Sequence, residues 1–246
     1  METLEQKPAR KAAPLQFRQS RLAHRYLDGL QGIEIGGSAH NQFGLKTLNV
    51  DNSVETVFKK KEVALTGTTL KIDLISEGDE LPLADSSLDF VLTSHVIEHF
   101  LDPIKALKEW YRVVKDGGYI LAVVPHKERT FDKDRPRTPL AELIDRHEAN
   151  EPRPAINKHF SVWIAEDMVE VIEYLGWKLL EVQDPDDKVG NGFTIVIKVQ
   201  KGEPGMLTEL EYLIDYSLGR DLIPMPALER MLGRMVMAHE RQRKLR

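Results

Sequence analysis

Ile33-Glu34-Ile35 runs straight into Gly36-Gly37-Ser38, and Asp51 closes the next apolar stretch, Thr47–Val50. Glycine after a strand lets main chain come close to a ligand, because no Cβ stands in the way. A carboxylate at the tip of the neighbouring strand can accept both hydroxyls of a ribose. Each feature also has a plainer reading. A glycine turn serves simple chain reversal, and an aspartate at that point suits a turn or a helix N-cap.

What must position these residues is a regular alternation of short apolar stretches. Strands are expected at Ile33–Ile35, Thr47–Val50, Thr69–Ile75, Phe90–Thr93 and Tyr119–Val124, the last closed by Pro125. Before the fifth, Asp102-Pro103 suits N-cap and first helical turn, and Ile104, Leu107, Tyr111 and Val114 make a stripe at helical spacing. Gly117-Gly118 is expected to end that helix. A second helix is expected over Ala165–Leu175 with Gly176 as its stop, and another from Leu15 to Leu30. Two further strands, Trp177–Val182 and Phe193–Val199, are separated by the turn-rich DPDDKVGNG. Strands alternating with helices imply an α/β fold with a mostly parallel sheet covered on both faces. The final pair, joined by a loop, is expected to end the seven strands with an antiparallel one. In such sheets ligands sit beyond the carboxyl ends of the strands, where the strand order reverses.

Composition narrows the partners. The 246 residues carry a formal charge of −5, which does not match a phosphate backbone, so nucleic acid is not expected as a partner. There is no cysteine, which removes disulfides and thiolate chemistry together and fits a reducing compartment. No apolar run reaches the roughly 20 residues of a membrane span, and the first residues lack the apolar core of a secretory signal. A cytoplasmic location is the expectation.

The run LKIDLISEGDELPLADSSLDFVLTSHVIEHFLDPIKALKEWYRVVKDGGYILAVVP closely resembles the methyltransferase type 11 family of class I S-adenosylmethionine (SAM)-dependent enzymes. The likeness rests on an ordered series: Glu77, Leu81-Pro82, Leu88-Asp89, His95 through Glu98-His99, Arg112-Val113-Val114-Lys115 and Gly117-Gly118. It implies a Rossmann-like class I sheet with SAM as methyl donor and S-adenosyl-L-homocysteine as product. By that resemblance Glu34, Gly36, Gly37 and Ser38 cradle the methionine part of SAM, with Ser38 where the family often has another glycine. Asp51 takes the ribose. Glu77 stands at the adenine edge, with Asp73 as a competing register, and Ser94 and His95 border the sulfonium. The strings IEIGGSAHNQFG, LNVD and PHKERTFDKDRPRT also resemble methyltransferases associated with sugar or polysaccharide biosynthesis.

Methyl transfer needs alignment of donor and acceptor and, for a hydroxyl acceptor, removal of a proton. His126, His159 and His99 are the candidate bases: His126 follows the fifth strand, His159 lies in NKHFSVW, and His99 is expected one helical turn after His95, on the same face. Each also reads as an ordinary surface or structural histidine. Asp132, Arg135 and Arg137 either orient a polar acceptor or form a solvated loop. His126, Asp132 and His159 are suitable metal ligands by type, but no metal site is expected.

The expected organisation is an N-terminal helical cap over 1–30, a SAM-binding domain over 31–200 with an acceptor-side insertion at 126–160, and a helical extension over 201–246. The last, apolar at Met231, Leu232, Met235 and Val236 and basic at its end, is expected to pack on the domain or form a homodimer. The leading expectation is O-methylation of a small molecule, a sugar hydroxyl foremost. Beside it stand an N-methyltransferase for an amine or amino sugar, a non-catalytic SAM-binding subunit, and a nicotinamide oxidoreductase, against which the missing G-x-G-x-x-G counts.

Overall fold

A computed structural model describes residues 18–53, 57–154 and 158–201. Seven strands form one sheet: β1 (Gly32–Ile35), β2 (Thr47–Asp51), β3 (Leu74–Ile75), β4 (Leu88–Ser94), β5 (Val114–Pro125), β6 (Lys178–Gln183) and β7 (Gly192–Lys198). Their order is β3-β2-β1-β4-β5-β7-β6. β7 runs antiparallel to both its neighbours, while the β3-β2-β1-β4-β5 pairings are all parallel. The chain therefore winds outward from β1 in one direction to β3, then returns beside β1 as β4 and winds the other way. The order reverses between β1 and β4, which is where such a sheet opens a crevice for a ligand.

The alternating side chains of the central strands divide the core by period two. Val91, Ile120, Ala122 and Val124 face one side, packed with buried residues of α3 (Pro103–Val113), α4 (Leu140–Ala149) and α5 (Ala165–Leu175). Phe90, Leu92, Leu121 and Val123 face the other, against Leu22, Ala23 and Leu27 of α1 (Arg21–Leu27) and against Phe43 from the β1–β2 loop. α2 spans Val57–Thr66 between β2 and β3.

Several boundaries differ from the sequence reading. The helix of α1 starts at Arg21, where the Ser20 side chain accepts from the Ala23 amide, and ends at Asp28. The third strand is confined to Leu74–Ile75 rather than 69–75. Upstream of it, Asp73 satisfies β2 with its side chain as well as its main chain: its carboxylate accepts from the Asn49 amide at 3.1 Å. Gly117-Gly118 does not end α3. That helix stops at Val113, and Val114 already pairs with Leu88 before a register shift in β4–β5 carries the ladder on at Phe90 and Tyr119. The glycines make that shift: Gly117 sits at φ +75°, and a Cβ on Gly118 would lie 2.5 Å from the Asp89 carbonyl oxygen. The expected N-terminal start of α1 near Leu15 and the whole C-terminal extension beyond 201 lie outside the described residues. No helix among the described residues is long and apolar enough to cross a membrane.

Candidate functional site

Register places the three central strand tips side by side. Ile35 pairs with Val50 on one side and Thr93 on the other, so Gly36 emerges between Asp51 and Ser94. Adjacent strands lie about 4.8 Å apart, so these three tips bound one small region. Asp51 in turn pairs with Ile75, two residues before Glu77, and Asn52 Nδ2 donates to Glu77 Oε2 at 3.3 Å.

The turn after β1 is built for close approach. Gly36 has φ +72°, and a Cβ there would stand 2.6 Å from Val96 Cγ2. Its amide donates to the Val50 carbonyl at 2.8 Å, and the Gly37 amide donates to Asn49 Oδ1 at 3.0 Å. A Cβ on Gly37 would come 3.1 Å from the Glu34 carboxyl carbon, so Glu34 lies directly beneath the turn. Glu34 is buried, and burial pushes its carboxyl up to about 7 against the opposing pull of Lys188 and Lys59.

Lys59 of α2, itself buried, spans the region. Its Nζ donates to the Gly37 carbonyl at 3.0 Å and lies 3.3 Å from Asp51 and 3.5 Å from Glu62. Glu62, buried, accepts from the Ser38 hydroxyl at 3.2 Å, from the Leu70 amide at 3.3 Å and from the Ala39 amide. At the far edge, Arg153 pairs with both Glu77 and Asp79 and lies over the Phe100 ring at 5.6 Å. Burial lowers its guanidinium below the usual arginine value. Asn49, Lys59, Glu62 and Arg153 escape sequence reasoning. None belongs to a recognisable spacing, and Arg153 arrives from a loop 76 positions beyond Glu77.

The residues after β4 turn sharply. His95 adopts left-handed backbone at φ +56°, and a 3₁₀ turn at Ile97–His99 follows instead of an α-helix. His95 and His99 thus do not share a helical face. Burial lowers the His95 imidazole pKa, against a raising pull from Asp186. Ser94 Oγ and His95 Nε2 are buried with no hydrogen-bond partner among the described residues, and so are both carboxylate oxygens of Glu98. Glu98 is fully buried, and desolvation pushes its carboxyl up to about 8, with Asp132 adding to the rise.

The candidate bases separate into two environments. His126 caps the 3₁₀ turn Lys127–Arg129: its Nδ1 accepts from the Glu128 amide at 3.1 Å, its ring meets Phe193 edge-on, and Nε2 lies 3.7 Å from Asp184. Burial and then the Arg129 charge lower its pKa. His99 and His159 instead come together, ring centroids 4.7 Å apart in an edge arrangement. His159 Nδ1 lies 2.5 Å from Oδ2 of buried Asp132, whose other oxygen accepts from Arg135 at 2.6 Å. His99 Nδ1 lies 3.1 Å from the Lys158 carbonyl oxygen. Each Nε2 is 3.8 Å from Glu98 Oε1. The Phe160 amide donates to the Glu98 carbonyl at 2.7 Å and so fastens the two segments together. Phe131, 78% exposed, lies against His159 with centroids 4.6 Å apart. Arg137, by contrast, is committed to Asp167 at the start of α5.

These residues fit SAM. The donor is a cation with a ribose and an adenine, and the strand tips offer a buried carboxylate under a glycine turn, a second carboxylate at β2 and a third beyond β3. The methyltransferase domain of the type 11 family matches residues 35–122. An uncharacterized protein of Methanocaldococcus jannaschii is 23% identical over 72% of this chain and 85% of its own. The malonyl-[acyl-carrier protein] O-methyltransferase of a Marinomonas species is 44% identical over 46 residues, 19% of this chain and 17% of that protein. Among solved structures, a SAM-dependent methyltransferase of Thermotoga maritima is similar at a TM-score of 0.47 and 21% identity, over 73% of this chain and 92% of the other. The motif series and the strand order agree with that match: residues 35–122 match the methyltransferase domain of the type 11 family.

Proposed function

We propose that this chain methylates a hydroxyl group of a small polar molecule, a sugar hydroxyl foremost. Glu34 and the turn Gly36-Gly37-Ser38 hold the methionine part of SAM, Asp51 its ribose and Glu77 its adenine edge, while Ser94 and His95 border the sulfonium. Asp73 is left to β2, since its carboxylate is occupied by the Asn49 amide and by Lys71 at 2.7 Å. Lys59 gives up Asp51 when the ribose arrives.

The observation that carries the acceptor reading is the buried Asp132–His159 pair. A carboxylate only accepts, so His159 donates from Nδ1 and its Nε2 keeps the lone pair. An amine acceptor brings its own lone pair and has little use for such a group, whereas a hydroxyl must shed a proton. Phe131 supports the sugar class: an exposed aromatic face beside the reacting edge suits the C–H face of a pyranose. His126, engaged as a cap, is a positioning group in this reading.

A cytoplasmic location and homodimerisation through 201–246 are retained for testing, by fractionation and by sedimentation. The deciding experiment incubates the protein and SAM with a panel of sugars, nucleotide sugars, amino sugars and amines, and detects by mass the gain of one CH₂. Methylation of hydroxyl acceptors, abolished in His159→Ala with SAM binding retained, is the expected result. Turnover of amines alone, undiminished in that variant, overturns it.

A further inference from the structure

Glu98, His99 and His159 each offer one ligand atom, and these atoms lie within 4.8 Å of one another. We propose that these three side chains bind a divalent transition-metal ion, of the Zn²⁺ class, with a coordination position left open toward the acceptor.

The geometry brings three ligand atoms of the right types together. Both histidines turn Nδ1 to groups that can only accept, the Asp132 carboxylate and the Lys158 carbonyl, so both Nε2 atoms carry lone pairs. They face a carboxylate that is completely buried and, among the described residues, accepts no hydrogen bond from another side chain or main chain. Histidine nitrogen and carboxylate oxygen are the ligand types preferred by zinc and its neighbours.

Distances and surroundings agree. Zinc holds such atoms at about 2.0–2.2 Å, which puts a ligand pair roughly 3.4 Å apart in a tetrahedral site. The two observed Nε2–Oε1 separations, each 3.8 Å, need to close by only a few tenths. Metal-binding histidines usually donate their other N–H to a carboxylate or carbonyl, which fixes ring and tautomer. Here one histidine has each kind of partner. Three protein ligands with an open position is the arrangement of a reactive rather than a purely structural zinc. His126 and Asp132, the other ligand types in this region, do not join the group: the first caps a turn and the second stands behind His159.

The catalytic part rests on the hydroxyl-acceptor reading above. The acceptor oxygen takes the open position and its proton leaves to solvent water. The oxygen then forms its bond to the methyl carbon as the carbon–sulfur bond breaks, the electron pair going to sulfur and leaving S-adenosyl-L-homocysteine. His159 then serves through the ion rather than as the base itself.

Co²⁺ is the probe. Full-length protein stripped with EDTA is titrated with Co²⁺ and followed by its visible d–d absorption, with Zn²⁺ displacement measured calorimetrically. One equivalent is expected to bind. His99→Ala and Glu98→Gln should weaken binding at least 100-fold, and Asp132→Asn, which touches no ligand atom but His159, by about 10–100-fold. SAM binding, measured in parallel, certifies that each variant is folded. If the wild-type protein shows no stoichiometric Co²⁺ spectrum, or the variants bind as it does, the site is overturned whatever the acceptor proves to be. If the ion binds but EDTA leaves hydroxyl methylation unchanged, the catalytic part is overturned, while the reading of the chain as a hydroxyl methyltransferase stands.

Discussion

The imidazole of His159 is held by Asp132, Nδ1 to Oδ2 at 2.5 Å, 27 positions away in the sequence. The carboxylate is buried and braced from behind by Arg135. Asp132→Asn replaces an obligate acceptor by a group that can donate, which releases the ring to the other tautomer. Turnover is expected to fall by about 10²-fold or more, the scale of a lost proton-handling group. SAM affinity should stay within twofold, since nothing at the β1–β2 tips touches Asp132. Steady-state kinetics beside a SAM titration check both halves.

Glu34 makes donor binding depend on pH. Its carboxyl, raised by burial to about 7, is largely protonated in the free protein at slightly acid pH, and in the proposed function it faces a cationic ligand. SAM affinity is therefore expected to rise as pH climbs from about 6 to 8, with a proton released on binding, and Glu34→Gln should flatten the profile. Stability runs the other way. A carboxyl whose folded pKa lies above its unfolded value stabilises fully below the unfolded value, about 4.5, and loses that contribution as pH rises through about 7. The whole effect is on the order of 3 kcal/mol. Urea unfolding of wild type and Glu34→Gln at several pH values measures it, and equal pH slopes for the two would refute the assignment.

Gly36 is constrained twice, by φ +72° and by Val96. Gly36→Ala is expected to cost about 1–3 kcal/mol in stability and to abolish measurable SAM binding. Adding Val96→Ala removes the 2.6 Å clash but leaves the backbone penalty, so the double variant should recover only part of the loss. Full recovery would show that only the clash mattered.

A Phe131 variant tests the proposed acceptor side apart from the donor side. Removing this exposed ring with Phe131→Ala should leave thermal stability unchanged, because it contributes no core burial. The acceptor KM is expected to rise several-fold for sugars, with SAM binding unaffected. An unchanged KM across the sugar panel would remove the ring from the acceptor's path.

Arg112 ties the end of α3 to the turn after Glu77. Its guanidinium donates to the Leu83 carbonyl at 2.9 Å and the Leu81 carbonyl at 3.1 Å and pairs with Glu109, which in turn accepts the Leu81 amide at 2.7 Å. One side chain thus fixes the Leu81-Pro82 turn that follows Glu77. Arg112→Ala should destabilise by about 1–3 kcal/mol through the carbonyls it leaves unmet, and Arg112→Lys should rescue little, having no fork. Thermal melts decide it.

The strand tips were legible because each is marked locally: an apolar run, then glycine, aspartate or serine. The sheet's reversal and the antiparallel β7 followed from the same rhythm. α2 and α4 were not, since VFKKKEVALT and LAELIDRHEA carry short, mixed stripes inside polar segments, and only α4 has a clear clue, Pro139 followed by Leu140, Leu143 and Ile144. The length of β5 was hidden by Gly117-Gly118, which read as a helix stop and serve as a register shift. At the site, the Glu98–His99–His159 convergence joins residues 60 positions apart, and no spacing in the chain announces it. Glu98-His99 was visible as a family motif, but its burial without a partner belongs to tertiary structure alone.

The segment after β5 is stitched down at both ends: the His126 amide to the Asn191 carbonyl, Thr138 to Val162, and Phe160 to Glu98. What lies between Pro139 and Asn150 is therefore a cassette on fixed mounts. Exchange there can retune which molecule is chosen while the transfer apparatus stays where it is, so kin of this chain are free to differ most in taste and least in chemistry.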